Sequence, residues 1–589
     1  MRPDTSEDIP ALGDSQLNAI NKLISIADAQ SAAHAAGTDL VALIPRQRLP
    51  ESPAAPPRAE PGPAPEPAPR RARGFPAWPA LLLAPVLIGQ ACLSLRLVWS
   101  NTAYQDEALY LWAGKLEWAH WLHGAPIPPF PYYFSGAPVV YPPVAAAFNA
   151  IGGLAGARIF SLICMLGATI LLWRATRHLF GPGAAWPAAA LWALLGPTQR
   201  LGAFATFDAM ALLLLALAAW SAITAASRRH VARWLIIATL AMLAANAAKY
   251  ASAIFDPVIL ALPWVTGCPR PGGKTAMARS AAMVTYLSAG VITLILVAGG
   301  QYASGISATT LARAHGQQSP LDVLSLSWQW VGVAIAGGIG GVLLSIAGRN
   351  FRRHRTLLLA LLAGTALLVP FQQARIHSTT SLDKHVAFGA WFAAIAAGYA
   401  VNRLISMLRG RPAMAVARTA VAVALVPVAV AGAVQATSFF SWPDASRFIR
   451  ILRPLAARHP GAMLIETSSL AQYYLPSSIH WQQWSNTFSI TTPAGRSIGF
   501  TEKGITDTGD IKTYQDYIKH NYFQVVALNY STAGTTLDLD ITRWLHHDPR
   551  YRVAASIPYG RSVYTIWVLR SRPAAPRTDR HPRPGRNAR

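Results

Sequence analysis

The sequence predicts a polytopic α-helical membrane protein with about eleven transmembrane helices, ending in a C-terminal extracytoplasmic α/β domain. Three observations carry this expectation. Of the 589 residues, 52% are hydrophobic and 13% charged, and the mean hydropathy is +0.29. Apolar stretches approaching the roughly 20 residues that a helix needs to cross ~30 Å of hydrocarbon recur through the middle of the chain. Beyond residue 437 the pattern changes to short β-rich runs alternating with helical ones.

The first span is predicted at 78–99. Others follow at 156–177, 184–198, 208–226, 234–248, 251–267, 280–300, 324–347, 356–372, 385–407 and 413–437. Basic residues then set the orientation. With the N-terminus inside, the short inner loops hold Arg174 and Arg177; Arg228, Arg229 and Arg233; Arg270, Lys274 and Arg279; Arg349, Arg352, Arg353 and Arg355; and Arg409, Arg411 and Arg418. The outer loops hold only Lys115, Arg200, Lys249, Arg313, Arg375 and Lys384. An excess of Lys and Arg marks the cytoplasmic side, so the expected topology is a multi-pass cell-membrane protein with a cytoplasmic N-terminus. The net charge of +25 belongs to this loop pattern, so the partner it implies is the lipid bilayer and no nucleic acid.

Residues 1–76 lack the apolar core of a signal peptide and are expected to stay cytoplasmic. Within them, 9–33 has some helical periodicity, suited to a solvated segment or a partner-docking one. The Pro/Ala-rich run 49–74 reads as an extended linker. Residues 77–437 form the transmembrane region, with a first outer loop at 99–141. Cys92, Cys164 and Cys268 sit in or beside spans, which gives no disulfide framework and no Cys metal site. Residues 438–570 carry predicted strands at Ala462–Glu466, Gln524–Leu528 and Val563–Leu569, too short to span a bilayer as helices. The Arg/Pro-rich tail 571–589 is expected to be disordered.

Charged groups are costly at membrane depth, so those near span ends call for an explanation. Here they gather on the predicted outer face: Asp106 and Glu107 after the first span, Asp208 opening another, Lys249 at an outer turn, and Arg375, His377, Lys384 and His385 in one short loop. Carboxylates facing cations suit transfer from a phosphate leaving group, since the cations hold the phosphate while a carboxylate takes a proton. A lipid phosphate would place that charge at headgroup depth and its prenyl tail between helices. Each residue also has a plainer reading. Asp106 and Glu107 suit a helix N-terminus, and Asp208 suits an N-cap. Lys249 suits a snorkelling lysine, Arg158 an interfacial anchor, Asp383 with Lys384 a surface pair, and His377 a hydrogen-bonded polar group rather than a metal ligand or second base. Trp112, Trp118, Trp121, Tyr132 and Tyr133 read as interfacial anchors. Tyr473, Tyr474, Trp481 and Trp484 are candidates for stacking on sugars.

The order Asp106-Glu107, Tyr141-Pro142-Pro143, Arg158 and Asp208 after one N-terminal span resembles the GT-C superfamily of membrane glycosyltransferases, in its protein O-mannosyltransferase and aminoarabinose transferase (ArnT-like) branch. The resemblance covers roughly residues 78–437. It implies a hexosyl- or pentosyltransferase with a polyprenyl-phosphate-sugar donor and a cell-envelope acceptor, whether glycan, lipid or protein. It implies direct displacement with inversion, with Asp106 as the catalytic base accompanied by Glu107 and Asp208. Tyr141, Arg158, Lys249, Arg375, His377, Lys384 and His385 are the substrate-binding candidates. The aminoarabinose branch has a basic residue before the Pro-Pro pair where this chain has Tyr141. Asp106, Glu107 and Asp208 are the candidates for a divalent metal, but no ligand spacing demands one, so the cofactor is left unknown. Two other classes stand against this expectation. A flippase of lipid-linked sugars would show paired repeats with interrupted helices and mid-membrane polar sites, and a non-catalytic assembly partner would use the charges only to shape an interface.

Overall fold

The computed structural model describes residues 83–570, apart from 133, 227–229, 268–272, 312–314, 349–351, 409 and 477 and, near the C-terminus, 492–496, 499, 502–503, 506–508 and 531–534. The expectations for residues 1–76 and 571–589, and for Tyr133 and Cys268, lie outside the described residues.

Helix α1 (Leu83–Val98) leads into α2 (Gln105–His123), which forms the first loop's only long helix among the described residues. Helix α3 (Tyr141–Phe180) starts on Pro142-Pro143, where prolines fit because the first turn has no use for their missing amides. It breaks at Gly152-Gly153, where Gly153 takes φ 59°. Then come α4 (Pro182–Leu194), α5 (Gly196–Leu201), α6 (Phe207–Ala225) and α7 (Val231–Ala248), a 3₁₀ turn at Tyr250–Phe255, and α8 (Asp256–Gly267). The bundle is completed by α9 (Gly273–Ala298), α10 (Gly300–Ile306), α11 (Pro320–Ile346), α12 (Arg353–Thr365), α13 (Leu368–Arg375), α14 (Leu382–Met407) and α15 (Arg411–Ser438).

Eight spans among the described residues are long and apolar enough to cross a bilayer, or nine when α12 and α13, bent by 42°, count as one. The predicted segments 78–99 and 184–198 fall on the shorter α1 and on α4 with α5. The apolar windows of α9 and α15 have mean hydropathies of 2.1 and 2.0 and are almost wholly uncovered. Leu296 and Val297 are 78% and 81% exposed. Runs of this kind facing outward need lipid as their solvent, so the chain is a multi-pass membrane protein. By contrast, α14 is buried on nearly all sides from Leu382 to Ala400.

The last portion begins with the amphipathic α16 (Ser446–Arg458), which buries Phe448, Ile449, Leu452 and Ala456. Strand β1 (Ala462–Ile465) and α17 (Ser468–Tyr474) follow, then the short strands β2 (Trp484–Ser485), β3 (Ile490–Thr491), β4 (Ser497–Ile498), β5 (Phe500–Thr501) and β6 (Gly504–Ile505). Next come α18 (Gly509–Lys519), β7 (Phe523–Leu528), α19 (Thr535–His547), β8 (Tyr551–Tyr559) and β9 (Ser562–Leu569). The main sheet has the order β2-β1-β7-β9-β8. Strands β2, β1 and β7 are parallel, and β9 and β8 join antiparallel. All three predicted strands are present. Strand β8 was missed because its alternation is blurred by Ala554, Ala555 and Pro558.

The two-residue period of a strand sends neighbours to opposite faces. Leu464, Val526, Leu528 and Trp567 pack with residues of α18 and α19. Met463, Ile465, Val525 and Ala527 join Phe448 and Leu452 in a cluster that continues into Tyr110, Trp112, Phe130, Tyr141 and Phe207 of the bundle. That shared apolar layer seats the α/β portion on the first loop.

Asp538, in the first turn of α19, is fully buried and neither carboxylate oxygen has a hydrogen-bond partner among the described residues. Burial, reinforced by the charge of Glu466, pushes its pKa up to about 7. The folded protein therefore binds this proton more tightly than an unfolded chain, where an Asp titrates near 3.9. The group's contribution to stability is present below pH ~4 and is lost as pH rises from ~4 through about 7. Asp538→Asn is expected to raise the thermal midpoint at pH 8 and to leave it little changed at pH 4. Equal shifts at both pH values would refute the buried neutral acid.

Candidate active site

The first-loop acids sit in the opening turn of α2. Successive helical residues are turned by about 100°, so the two carboxylates point to different places. Glu107 faces inward. Its Oε1 and Oε2 accept from Arg158 Nε and Nη2 at 2.8 and 2.7 Å, and also from the backbone amides of Ala205 and Tyr104 at 2.8 and 2.9 Å. Arg158 in turn donates to the carbonyls of Val98, Asn101 and Thr102. Neither side chain of the pair is exposed. Glu107 and Arg158, expected in catalysis and in substrate binding, are locked together in a clamp that ties α1, α2, α3 and the approach to α6.

Asp106 faces outward. It accepts from Lys384 Nζ at 3.0 Å, and its side chain keeps 30% of its surface where Lys384 keeps 7%. Helix α14 brings three consecutive ionisable residues to its first turn, and they fan out by the same rotation. Asp383 pairs with Arg200, Lys384 with Asp106, and His385 lies 3.9 Å from Asp208. Lys249 Nζ meets Asp208 at 2.6 Å and stands over the Phe207 ring at 4.5 Å. Thr206 occupies the N-cap position of α6, and its hydroxyl donates to Asp208 at 2.9 Å. Asp208 thus lies in the first turn and is not the cap.

Lys249 is held from the first loop. The amide of Ala137 donates to the carbonyl of Ala247, and the amide of Tyr250 to that of Ser135. Between them a Cβ on Gly136 would come within 2.1 Å of the Ala248 carbonyl oxygen, so only glycine fits.

Two separate cavities adjoin this cluster. One, of about 330 Å³, is lined by Lys249, Ser252, Phe255, Gln373, His385 and Phe388 among others. The other, of about 360 Å³, runs between α2 and the α/β portion and has Asp106, Trp481 and Trp484 in its wall. The remaining expected residues do not converge there. Arg375 is exposed. His377, at φ 52°, lies with Nδ1 3.0 Å from the Gln318 carbonyl oxygen and clasps the segment before α11. Tyr141 is fully buried in an aromatic group, 6.2 Å from Tyr110 and 6.3 Å from Phe207 between ring centroids. The hydroxyl of Tyr473 donates to Asn149, and that of Tyr474 accepts from the amide of Ala103, which spends both on joining the α/β portion to the bundle.

The three carboxylates named as candidates for a metal, with the cofactor left unknown, each turn to a different cation, and no group of three metal-ligating side chains occurs among the described residues. Sequence reasoning missed Arg200 and Asp383 as part of the cluster. It also missed the triad in which Asn246 donates to Asp256 at 2.7 Å and Ser252 to Asn246 at 2.6 Å beside Lys249. Buried polar residues at span ends were the available signal.

The family described as dolichyl-phosphate-mannose-protein mannosyltransferase matches residues 137–299. No curated protein matches the chain in sequence. Among solved structures, the chain is similar to the apo oligosaccharyltransferase of Archaeoglobus fulgidus, at 13% identity and a TM-score of 0.53 over 80% of this chain and 72% of that one. It is also similar to ArnT from Cupriavidus metallidurans bound to undecaprenyl phosphate, at 14% identity and a TM-score of 0.52 over 84% and 98%. A third likeness is to the A. fulgidus oligosaccharyltransferase AglB with an inhibitory peptide and a dolichol-phosphate, at 13% identity and a TM-score of 0.51 over 80% and 72%. The fold is therefore established: the chain is a multi-pass membrane protein with the fold shared by the A. fulgidus oligosaccharyltransferase and ArnT.

Proposed function

We propose that the chain is a membrane glycosyltransferase that moves a sugar from a polyprenyl-phosphate donor to an extracytoplasmic cell-envelope acceptor, with Asp106 as general base. The observation that carries this reading is the place of Asp106. It is the exposed member of a buried charge cluster, touching Lys384 on one side and walling the cavity toward the α/β portion on the other. The binding of undecaprenyl phosphate by ArnT and of a dolichol-phosphate by AglB supports a lipid-phosphate donor.

In this reading the donor phosphate enters the cavity lined by Lys249 and His385 and takes a share of Lys249 and Lys384. The first turn of α14 adds the positive end of its dipole. The acceptor hydroxyl attacks the anomeric carbon from the opposite side and gives its proton to Asp106. The bond from that carbon to the phosphate oxygen breaks, the lipid phosphate leaves with the electron pair, and the configuration inverts. Fixed cations aimed at the leaving oxygen are the main source of acceleration in such a site. Asp208 holds Lys249 in place. Glu107 and Arg158 fix the turn that presents Asp106 and are positioning residues. Arg375, at the exposed end of α13, would serve only by attracting the anionic headgroup. The charge asymmetry of the loops supports an extracytoplasmic site and a cytoplasmic N-terminus.

The test is sugar transfer by the purified full chain in vesicles from a panel of undecaprenyl-phosphate sugars, with undecaprenyl-phosphate binding followed in parallel. Lys249→Met is expected to weaken that binding by about 10-fold or more, the worth of one charge-assisted contact of about 1.5–3 kcal/mol. Wild-type binding in the variant, or no transfer from any donor, would overturn the reading.

A further inference from the structure

We propose that the cavity between α2 and the α/β portion receives an uncharged polysaccharide chain as the acceptor, laid along a track that passes Trp481 and ends at Asp106. This rests on the glycosyltransferase reading and names the acceptor class for it.

Charge is the first argument. The cavity's titratable walls are Asp106 and Glu466, and no Lys or Arg lines it among the described residues. Glu466 is fixed at the end of β1, its carboxylate accepting the amides of Asn529 and Tyr530 at the end of β7. A phosphorylated headgroup or acidic glycan would meet the Glu466 carboxylate and an Asp106 whose Lys384 partner is already engaged, with no Lys or Arg among the described lining residues to receive it, an arrangement that disfavours anions. The other polar walls, including Gln105, Ser468, Ser469 and Gln472, are uncharged groups able to donate and accept, as hydroxyl-rich ligands require.

Shape is the second argument. A neighbouring cavity of about 600 Å³, lined by Glu117, His120, Tyr302 and Gln482 among others, shares Pro128, Pro129 and Trp481 with the first and also has no Lys or Arg among its described lining residues. The two form one elongated track. Trp481 stands at their junction, its indole N–H donating to the Pro126 carbonyl at 2.8 Å. That bond fixes the ring as a rigid apolar face, and the C–H faces of sugar rings pack on such surfaces. Trp484, Trp112 and Phe488 add further aromatic surface.

A peptide would most simply bind by adding a strand to the edge of the sheet. The edge strand beside the cavity is β2, only two residues long, and the chain turns back on itself directly after it. The Ser485 hydroxyl accepts from the amide of Thr491, and the amide of Asn486 donates to the carbonyl of Ser489. So short an edge, followed by that turn, offers little backbone for a peptide to pair with, which leaves side-chain recognition of a glycan as the better fit.

The experiment is saturation-transfer NMR on the full chain in nanodiscs with maltohexaose, mannohexaose and arabinohexaose, set against mannose 6-phosphate and a neutral hexapeptide. At least one hexasaccharide should bind, and Trp481→Ala and Gln472→Ala should each weaken it by about 5-fold or more. Trp481→Phe, which keeps a flat ring, should retain most of the binding. All variants should bind undecaprenyl phosphate as wild type does, which separates a failed acceptor assignment from a failed donor assignment. Binding of no hexasaccharide, tighter binding of mannose 6-phosphate or the peptide, or an affinity unchanged in both Ala variants would overturn the proposal.

Discussion

Asp106→Asn is expected to lower sugar transfer by about 10²–10⁴-fold, the range for loss of a positioned general base, while undecaprenyl-phosphate binding stays within about 3-fold. Asn keeps the size of the side chain and an oxygen to accept from Lys384, which lies 3.0 Å from Asp106, but it cannot take the acceptor's proton. Because Asp106 is partly exposed, the substitution leaves no buried charge without a partner except that of Lys384, which retains Asp208 and Asp383 as neighbouring charges. Stability should therefore hold. A variant with unchanged transfer would remove Asp106 from the chemistry. One that loses donor binding to the same extent as transfer would make Asp106 an organiser of the cations instead.

Arg158→Met is expected to produce the largest loss of stability of any single substitution in the site, about 3–5 kcal/mol, because it strands Glu107 as an uncompensated charge in a fully buried setting. The carbonyls of Val98, Asn101 and Thr102, which Arg158 now satisfies, would lose their donor as well. Replacing both partners, as Glu107→Leu with Arg158→Met, should recover part of that loss, since two apolar side chains leave no charge unpaired. Thermal unfolding of the two variants beside Glu107→Gln measures this. A double variant no more stable than Arg158→Met would show that the lost carbonyl contacts, not the stranded carboxylate, dominate.

Much of the fold was legible in the sequence because a bilayer forces long apolar helices, and their hydropathy is read directly from composition. The spans that blurred were the short ones, α1 and the pair α4 and α5, whose lengths of 16, 13 and 6 residues overlap those of ordinary buried helices. The helix α2 was hidden for a different reason. Its aromatic and charged residues have no single apolar face, since it is covered by the bundle on one side and the α/β portion on the other. The site was legible as a set of charges on one face but not as pairs. Adjacency in sequence makes Asp106 and Glu107 look like one motif, and Lys384 and His385 like another. A rotation of about 100° per residue sends each to a different partner far along the chain, 51 residues away for Glu107 and Arg158 and 278 for Asp106 and Lys384. The same rotation explains why Glu107 and Arg158 became a clamp. Tyr141, which begins a helix under Tyr110 and Phe207, took the aromatic contacts that a first-loop reading would have given to a sugar.

The most direct measurement is a structure of the full chain with undecaprenyl phosphate bound. The phosphate is expected at about 3 Å from both Lys249 Nζ and Lys384 Nζ, the distance of a charge-assisted hydrogen bond, with the prenyl chain leaving along the Phe388 side and Asp106 facing the other cavity. A phosphate seated in the Trp481 cavity, or away from both lysines, would contradict the account.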